Sequence, residues 1–197
     1  MCNLYRLDVP ANQIADAFGI DAGRDPLAGD YVAPGKYAPV VVRADGQKVM
    51  VPRVWGVPPP PNGDRPVTNV RNLDSPFWIG TLRHTMFRCL IPVTSFQEWG
   101  GERGRRTQHW FSVPSEPVFA IAGIWRDSEV ASFAMLTTDP NPLVEAVHPK
   151  AMPVILTKPE DWRRWLTVPA ADALQLQRPL PDGMLQIVVE GLREDAV

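Results

Sequence analysis

The sequence predicts a mixed α+β domain: a curved, largely antiparallel, barrel-like sheet with short peripheral helices. Three observations carry that expectation. Strand-like runs follow one another with scattered short helical segments, lacking the regular alternation of a parallel sheet. Proline supplies 22 of the 197 residues, about twice its usual share, which breaks the chain into turns and disfavours long helices. No composition shift, linker or repeat divides the chain, so residues 1–197 read as one domain with ample length for a core.

Asn12 to Phe18 places Ile14, Ala15 and Phe18 on one face and predicts a short helix. Tyr37 to Arg43 and Lys48 to Trp55 flank Asp45-Gly46, a strong hairpin signal. Pro58 to Pro61 forms a stiff, irregular loop, because proline cannot donate to a ladder. Pro76 to Met86 is expected to be helical, with Phe77, Leu82 and Met86 as its apolar side. Phe87 to Val93, Gln108 to Val113, Val118 to Trp125, Ser132 to Thr138 and Met152 to Leu156 then read as strands. A helix follows with Thr157 as N-cap and Glu160 completing a capping box, and Trp162, Trp165 and Leu166 as its buried stripe. Met184 to Glu190 is the closing strand.

The formal net charge is −2, from 20 basic and 22 acidic residues. There is no global basic field, so any nucleic-acid contact must come from a local groove. Two cysteines give no disulfide framework. The three histidines and two cysteines show no ligand-like spacing, so neither metal nor cofactor is expected. With no secretory segment and no membrane-length apolar run, a soluble cytoplasmic monomer is expected.

Met1-Cys2 is the chemically pointed stretch. Trimming of the methionine would leave a 1,2-aminothiol, which can attack an aldehyde twice and close a five-membered thiazolidine. An α-amine titrates at about 7.7–8.0 and a thiol at about 8.5, so both are usable near neutrality. The ordinary fate of such a cysteine is inert burial. Three further polar positions interrupt apolar patterns: Asn69 in Asn69-Val70-Arg71, Glu98 between Phe96 and Trp99, and His148 ahead of Pro149. Each has a plain structural explanation as a turn, rim or loop residue. Together with Cys2 they supply a nucleophile, an orienting amide, a carboxylate and an imidazole suited to proton transfer near neutral pH.

In its ordered motifs the chain resembles the SRAP family (SOS-response-associated peptidase, the abasic-site processing proteins). The matching pieces are Met1-Cys2, Tyr31-Val32-Ala33-Pro34-Gly35, Val54-Trp55-Gly56 and Asn69-Val70-Arg71. They continue with Arg88-Cys89-Leu90-Ile91-Pro92, Glu98-Trp99, Ala122-Gly123-Ile124-Trp125, Thr137-Thr138, and His148 before Met152-Pro153. The resemblance implies covalent capture of abasic sites in single-stranded DNA by Cys2, after autocatalytic loss of Met1, in the DNA damage response. It implies that Asn69 holds the amine and sugar, that Glu98 assists proton transfer, and that His148 opens the deoxyribose ring. Arg71 and Arg88 would meet phosphate, with Trp99, Pro34 and Thr137 lining the strand.

Three departures accompany it. Many members continue Cys-Gly-Arg where this chain has Cys2-Asn3-Leu4, leaving Arg6 as a possible substitute cation. Val57 and four prolines replace a longer aromatic segment, and an extra residue separates His148 from Met152. Arg83 and the Arg103-Gly104-Arg105-Arg106 loop are further candidate cations. Two other readings use the same residues: an N-terminal-cysteine peptidase or amidase, and a non-catalytic single-stranded-DNA module.

Overall fold

The computed structural model describes residues 2–21, 31–102 and 105–192. Strand β1 (Leu4–Arg6) is followed by helix α1 (Ala11–Phe18), which buries Ile14, Ala15 and Phe18 and stops at left-handed Gly19. Strand β2 (Tyr31–Val32) returns antiparallel to β1. The expected hairpin is present as β3 (Tyr37–Ala44) and β4 (Gln47–Trp55). Its turn residues Asp45 and Gly46 have φ of 50° and 82°, as a two-residue hairpin turn compatible with strand twist requires.

After the proline loop come β5 (Asn69–Val70), α2 (Pro76–Arg83), a 3-10 turn (Thr85–Phe87) and β6 (Arg88–Val93). Then follow β7 (Ser95–Gly100), β8 (Thr107–Ser112), β9 (Phe119–Asp127), β10 (Ala131–Thr138) and α3 (Pro142–Glu145). The chain finishes through β11 (Met152–Pro153), β12 (Ile155–Leu156), α4 (Pro159–Thr167), α5 (Ala170–Ala173) and β13 (Gln186–Leu192).

The predicted curvature is realised by closure. Strand β10 pairs with both β9 and β4, so β4-β3-β6-β9-β10 form a ring. Within that ring the β10–β4 pairing is parallel, and β5 also joins β10 in parallel. The second sheet, in order β13-β8-β7-β1-β2, is antiparallel throughout. The chain crosses between sheets at Thr94, whose N–H donates to the Arg6 carbonyl at 2.9 Å.

One apolar cluster spans the ring and the facing sheet. Tyr5 lies 5.3 Å from Trp55 between ring centroids, and Phe96 stacks on Phe111 at 5.2 Å. Helix α4 is tied to the ring by Trp165 Nε1, which donates to the carbonyls of Cys89 (2.9 Å) and Gly123 (3.2 Å). Gly123 is required there: a Cβ would meet Ile91 Cδ1 at 2.8 Å and Cys89 Sγ at 2.9 Å.

Four expectations need correction. Helix α2 ends at Arg83, before Met86, which is 58% exposed instead of packed; Trp78, Thr81 and Leu82 form the buried side. The run Met152 to Leu156 is two short strands, because β11 pairs with β10 whereas β12 pairs with β9. Helix α4 starts at Pro159 with Lys158 as an N-cap that makes no side-chain bond, so the Thr157 capping box does not form. Proline suits the first helical position because its missing N–H has no intrahelical partner there.

Arg88 is the fourth correction. It was expected in a DNA groove, yet it is 0% exposed. Its guanidinium donates to the carbonyls of Leu82 (3.2 and 3.0 Å), Trp165 (3.1 Å) and Val168 (2.7 Å). It satisfies orphan carbonyls at the ends of α2 and α4 and belongs to the core. Among the described residues, no helix is long and apolar enough to cross a membrane.

Candidate active site

Cys2 is fully buried just before β1, with its thiol donating to the Leu4 carbonyl at 3.4 Å. Burial, reinforced by the Glu98 carboxylate, pushes that thiol well above the ordinary range. Met1 lies outside the described residues, as do Arg103 and Gly104 of the basic loop.

Asn69 reaches Cys2 from β5. Its Nδ2 donates to the Cys2 carbonyl at 3.2 Å and to Thr68 Oγ1 at 2.9 Å. Its Oδ1 is buried and has no hydrogen-bond donor among the described residues. Such an acceptor is costly to leave unmet, so it can take a donor brought to the site. The short strand is held from both sides: Asn69 registers with Met135 of β10, and Trp55 Nε1 donates to the Thr68 carbonyl at 3.0 Å.

Glu98 enters from β7, where it is 1% exposed. Burial raises its carboxyl from an ordinary 4.5 to about 7. His148 follows α3, anchored by its N–H to the Val144 carbonyl at 2.7 Å, and its Nε2 lies 3.9 Å from a Glu98 oxygen. Burial, with Lys150 close by, pushes this imidazole below its ordinary 6.5. Desolvation is the leading cause for both groups, raising the carboxyl and lowering the imidazole, so each favours its neutral form. They share a cavity of about 280 Å³ whose lining also includes Asn3, Trp99, Arg106 and Lys150. Lys150 escaped the sequence reading, although its position two residues beyond His148 was the available signal. Among the described residues, no cluster of His, Cys, Asp or Glu could hold a metal.

The remaining expected contact residues are distributed unevenly. Arg71 is half-exposed and ion-paired with Asp139. Pro34 is exposed in a turn whose Gly35 has φ of 82°. Thr137 is 1% exposed and its hydroxyl donates to the Val70 carbonyl at 3.4 Å, so it braces β5. Gln177 Nε2 bonds the carbonyls of both Arg71 and Thr137 at 2.9 Å, fixing the segment that carries Arg71. Arg6, the candidate substitute cation, lies away from the Glu98 side of its sheet. It registers with Ser95, on the sheet face opposite Glu98, and sits 4.2 Å over the Trp110 ring and 4.9 Å from Tyr31.

The site sets a buried cysteine just before β1 beside a carboxyl from β7 and the imidazole that follows α3, the residue types of a cysteine-based site. The chain matches the model of the family described as SOS response associated peptidase (SRAP) over residues 1–189, and it belongs to that family. It is 35% identical over 102 residues to the abasic site processing protein YoqW of Bacillus subtilis (strain 168), and equally to that of Bacillus phage SPbeta. Those matches cover 46% of this chain and 42% of each relative, so the aligned part spans less than half of the relatives' length.

Solved structures share the fold. A Bacteroides thetaiotaomicron protein superposes with a TM-score of 0.77 at 18% identity, covering 97% of this chain and 91% of its own. A phage-related protein from Bordetella bronchiseptica gives 0.76 at 19% identity, covering 98% and 94%. A second Bordetella bronchiseptica protein gives 0.78 at 20%, covering 97% and 99%.

Proposed function

We propose that this protein captures abasic sites in single-stranded DNA by closing a thiazolidine on Cys2 once Met1 has been removed. The observation that carries the reading is the meeting of Cys2, Asn69, Glu98 and His148, brought from four separated stretches into one cluster of buried and half-buried side chains. His148 assists opening of the closed sugar to its aldehyde. The freed α-amine attacks the aldehyde carbon and loses water to give an imine, held by the Asn69 amide. The thiol then adds across the C=N bond: sulfur bonds to carbon, and a proton reaches nitrogen by way of Glu98. A thiol kept protonated by burial fits this order, since the amine attacks first and sulfur second.

A sugar without a base suits the cavity of about 280 Å³ beside Trp99, and Lys150 and Arg106 on its lining suit the flanking phosphates. The deciding experiment mixes the protein with a single strand bearing one abasic site and resolves the products on a denaturing gel. A heat-stable, slower-migrating adduct is expected. Turnover of a peptide substrate with no adduct would instead favour the amidase reading, and reversible binding alone would favour a non-catalytic module.

Two smaller predictions arise here. His148→Ala should slow adduct formation about a hundredfold, with partial recovery on a substrate that already carries an open aldehyde. Equal slowing on both substrates would remove His148 from ring opening. Asp139→Asn should free Arg71 and tighten binding to an intact single strand about threefold at low salt, fading as salt rises. Unchanged anisotropy titrations would show that Arg71 does not meet phosphate.

A further inference from the structure

A second cavity shares no lining residue with the first. It has a volume of about 410 Å³, within the range of ligand sites, and is formed where the tip of the β3–β4 hairpin approaches helix α4. Lys48, at the tip, and Trp55, whose indole supports the Asn69 segment, lie on the same strand about 23 Å apart at roughly 3.3 Å per residue. The two cavities are therefore separate features.

The floor is apolar: Trp162 and Leu166 of α4, 5% and 1% exposed, with Pro159 at the edge. The rim is cationic, with Arg43 and Lys48 from the hairpin and Arg163 from the helix, and no acidic residue lines the cavity. Among the described residues, none of these three cations is in an ion pair. Lys48 donates to the Phe18 carbonyl and Arg43 lies at 3.5 Å from that of Gly46, so both carry neutral partners only. Three unmatched cations around an apolar floor, in a chain of net charge −2, are a local exception to its charge balance.

The geometry points to a docking site for an acidic peptide that carries an apolar side chain. The apolar group would cover Trp162 and Leu166, and the carboxylates would meet Arg43, Lys48 and Arg163. Charge complementarity selects the acidic partner. The state of Trp162 argues against a nucleic-acid strand, which binds such grooves by stacking bases on open aromatic faces. Phe18 already stacks on this indole with ring centroids 4.4 Å apart, its N–H is committed to the Leu156 carbonyl at 2.8 Å, and the residue is only 5% exposed. The site lets a partner hold this protein while the Cys2 cluster stays open to its own substrate, and it stands whether or not the abasic-site reading holds.

The test is fluorescence anisotropy with a labelled peptide of consecutive aspartates ending in leucine and phenylalanine. Saturable binding is expected, weakened about tenfold by Lys48→Glu with Arg163→Glu. It should also weaken when alanine and glycine replace the two apolar residues of the peptide. Both substituted side chains are exposed, and an unchanged melting curve confirms the fold. Crosslinking to an abasic strand, where the wild-type protein shows it, should be equal in the variant. Absence of saturable binding, binding unaffected by the charge reversals, or displacement by an oligothymidylate of equal charge would each overturn the assignment.

Discussion

Cys2→Ser is expected to leave no heat-stable adduct with an abasic single strand, a loss of at least about a thousandfold, the scale seen when a nucleophile is removed. The α-amine survives this substitution, so an imine still forms. The hydroxyl, however, is a far poorer partner for the imine carbon than sulfur, and the oxygen ring that it would close reopens in water. The exchange is nearly isosteric at a fully buried position, and a hydroxyl can keep the donation that the thiol makes to the Leu4 carbonyl, so the fold should persist. Cys89→Ser is the matched control. Cys89 is equally buried, its thiol is likewise pushed up by burial, and it packs against Gly123 inside the ring, with no assigned part in the chemistry. Gel-resolved adduct yield should therefore vanish for the first variant and stay normal for the second. Undiminished crosslinking by Cys2→Ser would remove the thiazolidine from the mechanism.

The fold was legible where chemistry is local. Asp45-Gly46 announced its hairpin because few residues accept positive φ, and the α1 stripe showed because Ile14, Ala15 and Phe18 recur at helical spacing. Strands of two or three residues, such as β1 and β5, carry no periodicity, and only pairing across the chain creates them. Arg88 was misread because a charged residue beside an apolar run gives no hint that three helix-end carbonyls await it. Asn69, Glu98 and His148 stood out as polar interruptions, and the ordered motifs tied them to Cys2. That they would meet, with one carboxyl raised and one imidazole lowered, is a property of burial that no local pattern encodes. The cationic rim around Trp162 was invisible for the same reason, since Lys48 and Arg163 belong to distant segments.

Glu98→Gln should make stability much less dependent on pH, with a measurable gain under alkaline conditions. In the folded protein this carboxyl titrates at about 7, against an ordinary 4.5, because burial disfavours its charge. Between those values the folded state retains a proton that the unfolded chain has released, so raising the pH drives unfolding. The contribution is fully present below the unfolded value and is lost as pH rises through the folded one, and the whole difference corresponds to about 3 kcal/mol. His148 works in the opposite sense. Its lowered value means that the unfolded chain takes up the proton first, so its contribution grows as pH rises toward 6.5 and is constant above. Because His148 lies 3.9 Å from Glu98, the comparison is made in a His148→Ala background, which removes that contribution from both proteins. Urea unfolding at about pH 5 and about pH 8.5 should show the variant gaining about 2.5 kcal/mol relative to the same background with Glu98 intact across the interval, since part of the effect is already lost by pH 5. A stability difference that stays constant between the two conditions would mean that Glu98 is already ionised in the folded protein at pH 5. The carboxyl would then be no reservoir for the proton that thiazolidine closure has to move.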